Sequence, residues 1–246
     1  MVSHFNIAAL TSLWILLSFV PVLGFIREEG AGPRIPVDDS QRRKQVLLLG
    51  ASVGKSWKLP SLPQRIGNSD YSFEYRMCAQ FDKSDCLKDI LSREGNKPDV
   101  VLIKECAAYF PGEVESYKKL MTRWIRECLD ADVIPLPATV VPVTRLHSFK
   151  KIFIDVLRGR KPFRQGNPFK YLRNEAILEF NDWLRLYCRE KGLNVLDLEA
   201  ALRYSENNRF LREDLARIDG LHLNGKAYEL LDRIVLPVLE DATRKS

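Results

Sequence analysis

Asp219-Gly220-Leu221-His222-Leu223-Asn224-Gly225 is the stretch that decides the fold, read together with Leu47-Leu48-Leu49-Gly50-Ala51-Ser52, about 170 residues earlier. The serine follows the first strand-like segment, and the Asp-x-x-His pair precedes the last helix-like segment. A serine hydroxyl is a poor nucleophile until an imidazole takes its proton, and the imidazole needs a carboxylate to fix its tautomer. We therefore predict an acyl-transfer site in which Ser52 is the nucleophile, His222 the general base and Asp219 its orienter.

Five apolar runs have the length and composition of buried parallel strands. They are Gln45–Leu49, Ser72–Met77, Asp99–Ile103, Val133–Leu136 and Asn194–Leu198. Strands that alternate with helices predict an α/β protein, here a flavodoxin-like doubly wound sheet of about five parallel strands with helices on both faces. Ligands bind beyond the carboxyl ends of such strands, so we expect Ser52, Glu105 and the loop after Pro137 to meet there.

The helical segments have apolar residues spaced three and four apart. Residues 113–130 and 171–190 show this pattern, and Gly192 is predicted to end the second helix. A final stripe between Leu230 and Val238 predicts a C-terminal helix just after the Asp-x-x-His motif. Asn224 is expected to be the N-cap of this helix and to hold the histidine on a rigid support.

Together the two motifs resemble those of the SGNH (GDSL-like) hydrolase family, in which a Gly-Asp-Ser-type motif follows the first strand and Asp-x-x-His precedes the C-terminal helix. The resemblance covers residues 45–240, and its last block, DGLHLNGKAYELL, is the most specific. It implies the SGNH fold and a serine esterase or acyl hydrolase that uses Ser52, His222 and Asp219. A non-catalytic SGNH-like binding domain and an O-acyltransferase with the same triad are the alternatives.

The sequence departs from the family pattern in its earlier blocks. Ala51 stands where the family usually has aspartate. The family's glycine after strand 2 is missing from the segment 78–81, and its asparagine after strand 3 is missing from the segment 106–109. These departures support the binding-domain alternative. However, the loss of one oxyanion donor costs about 10²–10³ in rate, which slows an enzyme without abolishing its activity.

Other residues are candidates for the oxyanion hole or for substrate contacts. Gly50 allows a sharp turn that leaves the Ser52 amide free to donate to an oxyanion. Lys104 and Glu105 end the third strand, and Lys104 is the better electrostatic substitute for the missing asparagine. Ala108 belongs to the same segment. The alternative for Lys104 and Glu105 is a solvated ion pair at the sheet edge, and the alternative for Ser52 is a helix or turn cap.

The segment Gly50–Ser56 also suggests a phosphate-binding loop, because it ends in Gly-Lys-Ser after a strand. However, a P-loop has four residues between its glycines, and here Gly50 and Gly54 are separated by three. The third strand also lacks the aspartate expected for magnesium. No His/Cys cluster has metal-ligand spacing. We therefore predict no nucleotide, cofactor or metal.

The chain of 246 residues, 46% of them apolar, suits one globular domain. From Asn6 to Ile26 there is no charge, and a signal cleavage after Gly24 fits the small residues before it. A secretory signal is our first interpretation of residues 1–26 and an uncleaved anchor the second. The cations that follow the span argue against export under the positive-inside rule. We interpret 27–44 as a linker, 45–246 as the hydrolase-like domain, and the protein as exported (periplasmic or secreted) or membrane-anchored.

The net charge of +6 is concentrated in one segment. Residues 139–173 contain nine Lys/Arg and one Asp, a net +8, so the rest of the chain is about −2. Local basicity of this kind argues against a nucleic-acid binder. The segment is predicted to be a lid-like insertion with a short amphipathic helix that contacts an anionic ester substrate or membrane surface; a solvated capping element is the alternative. No catalytic role is assigned to His147 within it.

Five cysteines leave at least one without an intramolecular partner. Cys128 and Cys188 lie on apolar helical stripes and are predicted to be buried thiols. Cys78 and Cys86 are close enough in sequence to pair if the domain is exported, although free thiols are the favoured state.

Overall fold

The computed structural model describes residues 42–78, 82–93, 95–107, 114–159 and 172–245, without the side chains at 151, 152, 155, 172 and 173. The described residues belong to one compact unit. The predicted signal or anchor (1–26) and the linker up to residue 41 lie outside the described residues. Within the described part of the chain, no helix is both long and apolar enough to cross a bilayer.

Strands and helices alternate along the chain. In order they are β1 (Lys44–Gly50), α1 (Ser52–Trp57), α2 (Leu62–Ile66), β2 (Tyr71–Met77), α3 (Lys83–Leu91), β3 (Val100–Lys104), α4 (Val114–Asp130), β4 (Ile134–Ala138), α5 (Arg145–Leu157), α6 (Leu172–Glu190), α7 (Leu198–Leu202) and α8 (Gly225–Lys245). The first four predicted strands are confirmed with shifts of one or two residues. Gly192 follows α6 in a left-handed conformation (φ 67°), as a helix-ending glycine does.

The strands form a parallel sheet in the order β2-β1-β3-β4. The predicted fifth strand is reduced to one parallel bridge between Ala138 and Leu196. The Leu196 amide donates to the Pro137 carbonyl, and the Leu196 carbonyl accepts from the Thr139 amide, so the odd-numbered residues of β4 face that side. Pro135 and Pro137 have no N–H to offer there, which explains why the ladder does not extend.

Alternate residues of the strands enter two cores, one on each face of the sheet, as a doubly wound fold requires. On one face, Val46 and Leu48 pack with α1, α7 and α8. On the other face, Leu47 and Leu49 pack with α3, α4 and α6. Since the chain crosses from one side of β1 to the other between β2 and β3, the topological switch point lies at the carboxyl ends of β1 and β3.

The cysteines differ in part from the prediction. Cys78, just after β2, and Cys86 on α3 form a disulfide, so the favoured expectation of free thiols at these two positions is wrong. Their short separation in sequence brings the end of β2 onto the first turns of α3. Cys106, Cys128 and Cys188 are buried free thiols, which confirms the prediction for the last two. Burial raises the pKa of the Cys128 and Cys188 thiols to about 12, so they are unreactive at neutral pH.

The basic segment divides into two described parts. Residues 139–144 run through the buried interior. Thr144 then caps α5, its hydroxyl accepting a hydrogen bond from the His147 amide at 3.1 Å. The predicted helix is confirmed. Residues 160–171 lie outside the described residues.

Candidate active site

Ser52 begins helix α1 immediately after β1 and lies at the switch point of the sheet. The turn is held by Tyr75 of β2, whose hydroxyl donates to the Ala51 carbonyl at 3.0 Å, and by the Cys78 amide, which donates to the Gly50 carbonyl at 3.0 Å. Gly54 lets α1 lie directly on the sheet, since a Cβ there would be 2.7 Å from Leu48 and 2.8 Å from Tyr75. The backbone N–H of Ser52 falls in the first turn of the helix, where amides have no intrahelical acceptor.

The loop that carries Asp219 and His222 is a tight turn before α8. The Arg217 amide donates to the His222 carbonyl at 2.7 Å, and the Gly220 amide donates to the Arg217 carbonyl at 2.8 Å. Asn224 closes the loop, because its side chain accepts from the Ala227 amide at 3.2 Å and so caps α8. This confirms the predicted N-cap and fixes His222 two residues before the N-cap of a rigid helix.

The three side chains of the predicted triad are brought together in order. Asp219 Oδ2 lies 2.7 Å from His222 Nδ1, and His222 Nε2 lies 3.4 Å from Ser52 Oγ. With the Nδ1 proton donated to the carboxylate, Nε2 is the free acceptor for the serine proton. Contacts of this kind are often long in the absence of substrate and tighten as it binds.

The carboxylate of Asp219 is fixed and charged. Its Oδ1 accepts from the Leu221 and His222 amides, both at 2.9 Å. Partial burial would raise the pKa of Asp219, but the bonds from these amides and from the imidazole outweigh it and lower the pKa to about 2. Asp219 is therefore an anion across the working pH range, as the partner of a histidine base must be.

Solved structures of ester hydrolases share this fold. No protein-family model matches the sequence, and no curated protein matches it. A GDSL-like lipase from Bacteroides thetaiotaomicron aligns with a TM-score of 0.58 at 14% identity, over 81% of this chain and 89% of that one. The esterase EstA from Pseudoalteromonas sp., in a structure inhibited by monoethylphosphonate, aligns with a TM-score of 0.54 at 13% identity, over 82% and 99%. The chain has the SGNH-hydrolase fold.

Within the SGNH fold, Lys104 and Glu105 occupy the end of β3 but are not a solvated pair. Both are buried, so that alternative is wrong. Lys104 Nζ donates to the Glu105 carbonyl at 2.9 Å, and the Glu105 carboxylate is 2.9 Å from Lys83 Nζ of α3. Burial lowers the pKa of the Lys104 ammonium. Burial also raises the pKa of the Glu105 carboxyl, against the effect of the neighbouring Lys83 ammonium.

The remaining residues predicted for the site are Gly50 and Ala108. Gly50 is buried at the end of β1, where a Cβ would lie 3.6 Å from Lys104 Cβ. Lys104 thus lies beneath the turn that presents Ser52. Ala108 lies outside the described residues. Among the described residues, no group of three or more His, Cys, Asp or Glu is arranged to hold a metal.

The sequence did not predict two contacts between the start of α5 and the loop that carries Asp219 and His222. His147 Nδ1 lies 2.7 Å from the Asp219 carbonyl, and the Thr144 amide donates to the Gly220 carbonyl at 3.0 Å. Gly220 has φ 67°, and a Cβ there would be 2.3 Å from Thr144 Oγ1 and 2.7 Å from His147 Cβ. The positive φ is hinted at by the Asp-Gly dipeptide, but the approach of α5 is a long-range contact with no local sequence signal.

A second set of contacts connects α1, which begins at Ser52, to α8, which follows His222. Asp232 of α8 accepts from Trp57 Nε1 at 2.7 Å and from Arg65 Nε at 2.7 Å. The Tyr228 hydroxyl donates to the Val53 carbonyl at 3.3 Å. These bonds join α1 to α8 across about 175 residues of sequence. They hold Ser52 and His222 on connected supports.

Proposed function

We propose that this protein is a serine ester hydrolase that acts through Ser52, His222 and Asp219. The observation that carries the proposal is the chain of contacts from the Asp219 carboxylate through the His222 ring to Ser52 Oγ, with distances of 2.7 and 3.4 Å. Nucleophile and base lie close to hydrogen-bonding distance, and a third group orients the base, which is the arrangement that activates a serine. The fold shared with solved esterases and lipases supports the same class of reaction.

In the proposed reaction, His222 Nε2 takes the proton of Ser52 Oγ as this oxygen attacks the ester carbonyl. The negative charge that develops on the carbonyl oxygen is stabilised by the Ser52 amide, which is free at the start of α1. His222 then protonates the leaving alcohol. Water, activated by the same imidazole, hydrolyses the acyl-enzyme. Asp219 remains ionised throughout and stabilises the imidazolium.

Covalent labelling tests this proposal directly, because a fluorophosphonate reacts with the hydroxyl of an activated serine. We expect Ser52 to be labelled and p-nitrophenyl acetate to be hydrolysed. Ser52→Ala and His222→Ala should each lose about 10³-fold or more of that activity, and the double variant should be little worse, because the triad acts as a unit. Asp219→Asn should lose a similar amount or less.

The matched control is Ser69→Ala, which removes an exposed serine from the turn before β2 and should change neither labelling nor turnover. If the wild-type protein neither hydrolyses short esters nor labels at Ser52, the domain is a non-catalytic binding module. If it labels but releases the acyl group only to a sugar hydroxyl, it is an O-acyltransferase.

We further propose that the domain acts outside the cytoplasm. The uncharged apolar segment 6–26 supports export. The Cys78–Cys86 disulfide supports it as well, since such bonds persist in oxidising compartments. An alkaline phosphatase fusion after residue 45 should be active, whereas an inactive fusion with an active cytoplasmic reporter would reverse the assignment. Acylated polysaccharides, lipids and cell-envelope esters are the substrates that this location offers.

A further inference from the structure

Helix α5 exposes its apolar side chains to solvent. Five large residues spaced three and four apart are between 55% and 70% exposed: Leu146, Phe149, Phe153, Val156 and Leu157. This spacing places them on one face of the helix, within about one third of its circumference. Soluble monomers rarely expose a contiguous apolar patch of this kind, and such patches mark sites of interaction. We call this set the α5 stripe.

Cations border the α5 stripe on both sides. At 3.6 residues per turn, Arg145 and Lys150 fall on opposite edges of the stripe, and Arg158 follows at the end of the helix. All three are exposed. Arg145 lies over the ring of Phe210, with its guanidinium carbon 5.4 Å from the ring centroid. A Phe/Leu face with basic edges is typical of helices that lie in the interface of an anionic bilayer.

The opposite side of α5 packs on the catalytic loop. Ser148 is buried, and the Asp219 carbonyl lies 2.7 Å from His147 Nδ1. Leu146 and Lys150 line a cavity of about 200 Å³ whose other wall includes Ile218, the fully exposed neighbour of Asp219. The apolar and basic surface therefore continues from α5 to the loop that carries the catalytic carboxylate.

We propose that the α5 stripe, extended by Ile218, docks on the surface of an anionic bilayer. Lipid is favoured over a second copy of this chain because pairing two stripes would bring the cations Arg145, Lys150 and Arg158 of each copy together, whereas anionic headgroups neutralise them. Docking would bring the catalytic loop to the membrane surface. The docking itself does not depend on the proposed function. The further conclusion that membrane-borne esters are the substrates does rest on the proposed function.

An environment-sensitive fluorophore on the helix tests the docking itself. In the full chain carrying Ser52→Ala, which prevents turnover, Leu157→Cys is labelled with a nitrobenzoxadiazole dye. The thiols of Cys106, Cys128 and Cys188 are buried, so the introduced cysteine is the reactive site among the described residues. With vesicles that contain phosphatidylglycerol, we expect a blue-shifted emission that lipid-borne quenchers reduce. With pure phosphatidylcholine vesicles, or at high salt, the shift should be much smaller.

Two comparisons separate docking by α5 from other causes. The same dye at Leu186→Cys on α6, a half-exposed leucine, should show no shift. Adding Phe149→Gln and Phe153→Gln to the Leu157 reporter should weaken its apparent vesicle affinity by about tenfold or more, whereas Leu129→Gln on α4 should not. The apolar segment 6–26 is present in every version, so it cannot account for a difference between them.

Three results would overturn the proposal. The first is no shift at position 157 with anionic vesicles. The second is an equal shift at 157 and 186, which would mean non-specific insertion. The third is a shift without vesicles that grows with protein concentration, which would identify a second copy as the occupant. Because the readout is binding, a failure of the proposed esterase activity leaves each of these results interpretable.

Discussion

Gly220 is the position at which a single methyl group tests how the catalytic loop is held. Gly220→Ala places a Cβ 2.3 Å from Thr144 Oγ1 and 2.7 Å from His147 Cβ. Thr144 cannot rotate away freely, because its hydroxyl caps α5. The matched control is Gly192→Ala, because Gly192 has the same φ of 67° and nothing within 4 Å of its Cβ position.

Both substitutions cost backbone strain, and only Gly220→Ala also costs steric overlap with neighbouring side chains. An L-residue in the left-handed conformation costs about 1–2 kcal/mol at either position. Overpacking adds about 1–3 kcal/mol at Gly220 alone. We therefore expect Gly192→Ala to lose about 1–2 kcal/mol and Gly220→Ala about 2–5 kcal/mol of the free energy of unfolding. Urea denaturation of both variants measures the difference.

The kinetic consequence follows from the position of Gly220 beside Asp219. A displacement of about 1 Å in a catalytic group costs about 10²-fold in rate. The rate of fluorophosphonate labelling at Ser52 should therefore fall in Gly220→Ala and stay close to wild type in Gly192→Ala. If the two variants were equally stable within about 0.5 kcal/mol, or if Gly220→Ala were labelled at the wild-type rate, the close packing of α5 on the loop would be refuted.

Three further predictions concern charged groups. The Asp219 pKa of about 2 is depressed, so its contribution to stability is present above the unfolded value of about 4 and is lost as pH falls toward 2. The free energy of unfolding that the wild type has in excess of Asp219→Asn should therefore shrink in urea denaturation as pH falls from about 4 toward 2, and an excess that does not change over that range would contradict this assignment. Asp232→Asn should cost about 1.5–3 kcal/mol in urea denaturation, because it breaks the charged bond to Arg65. Asp241→Asn, at an exposed pair on the same helix, should cost much less, because solvent screens that pair. Lys104→Met should lower kcat more than it changes KM if the buried ammonium stabilises the transition state, and equal kinetics would leave Lys104 a structural residue.

The parts of the fold that could be predicted from sequence are those with a local signal. Short apolar runs identified four strands, and helical spacing identified α4, α5, α6 and α8. The prediction of a fifth strand was wrong because it considered only the apolar run itself. The neighbouring strand β4 has Pro135 and Pro137 on the side that faces this run, and prolines have no amide proton to donate. Which strands are neighbours is decided by the tertiary structure. The two prolines therefore indicate a missing ladder only once the order of the strands is known.

The same distinction separates the predicted and the missed parts of the site. Ser52 and the Asp219–His222 pair were found because each lies in a short motif with a chemical rationale. The partners of Glu105 and Asp219 were missed: Lys83 and His147 lie 22 and 72 residues away, and neither has a distinctive neighbourhood. Helical spacing also predicted α5 correctly, but periodicity alone does not say whether an apolar face turns inward or outward.

Helix α5 connects the two proposals, because its two sides have different partners. Through His147 and Thr144 its inner side holds the loop that carries Asp219 and His222. Its outer side carries the stripe proposed to meet a bilayer. A ligand shifts a conformational equilibrium only by its differential affinity for the two states. The α5 stripe is already exposed and the triad is already assembled in this one conformation. Docking therefore requires no second state, and we expect it to raise the local concentration of membrane-borne esters at Ser52 rather than to switch the site on.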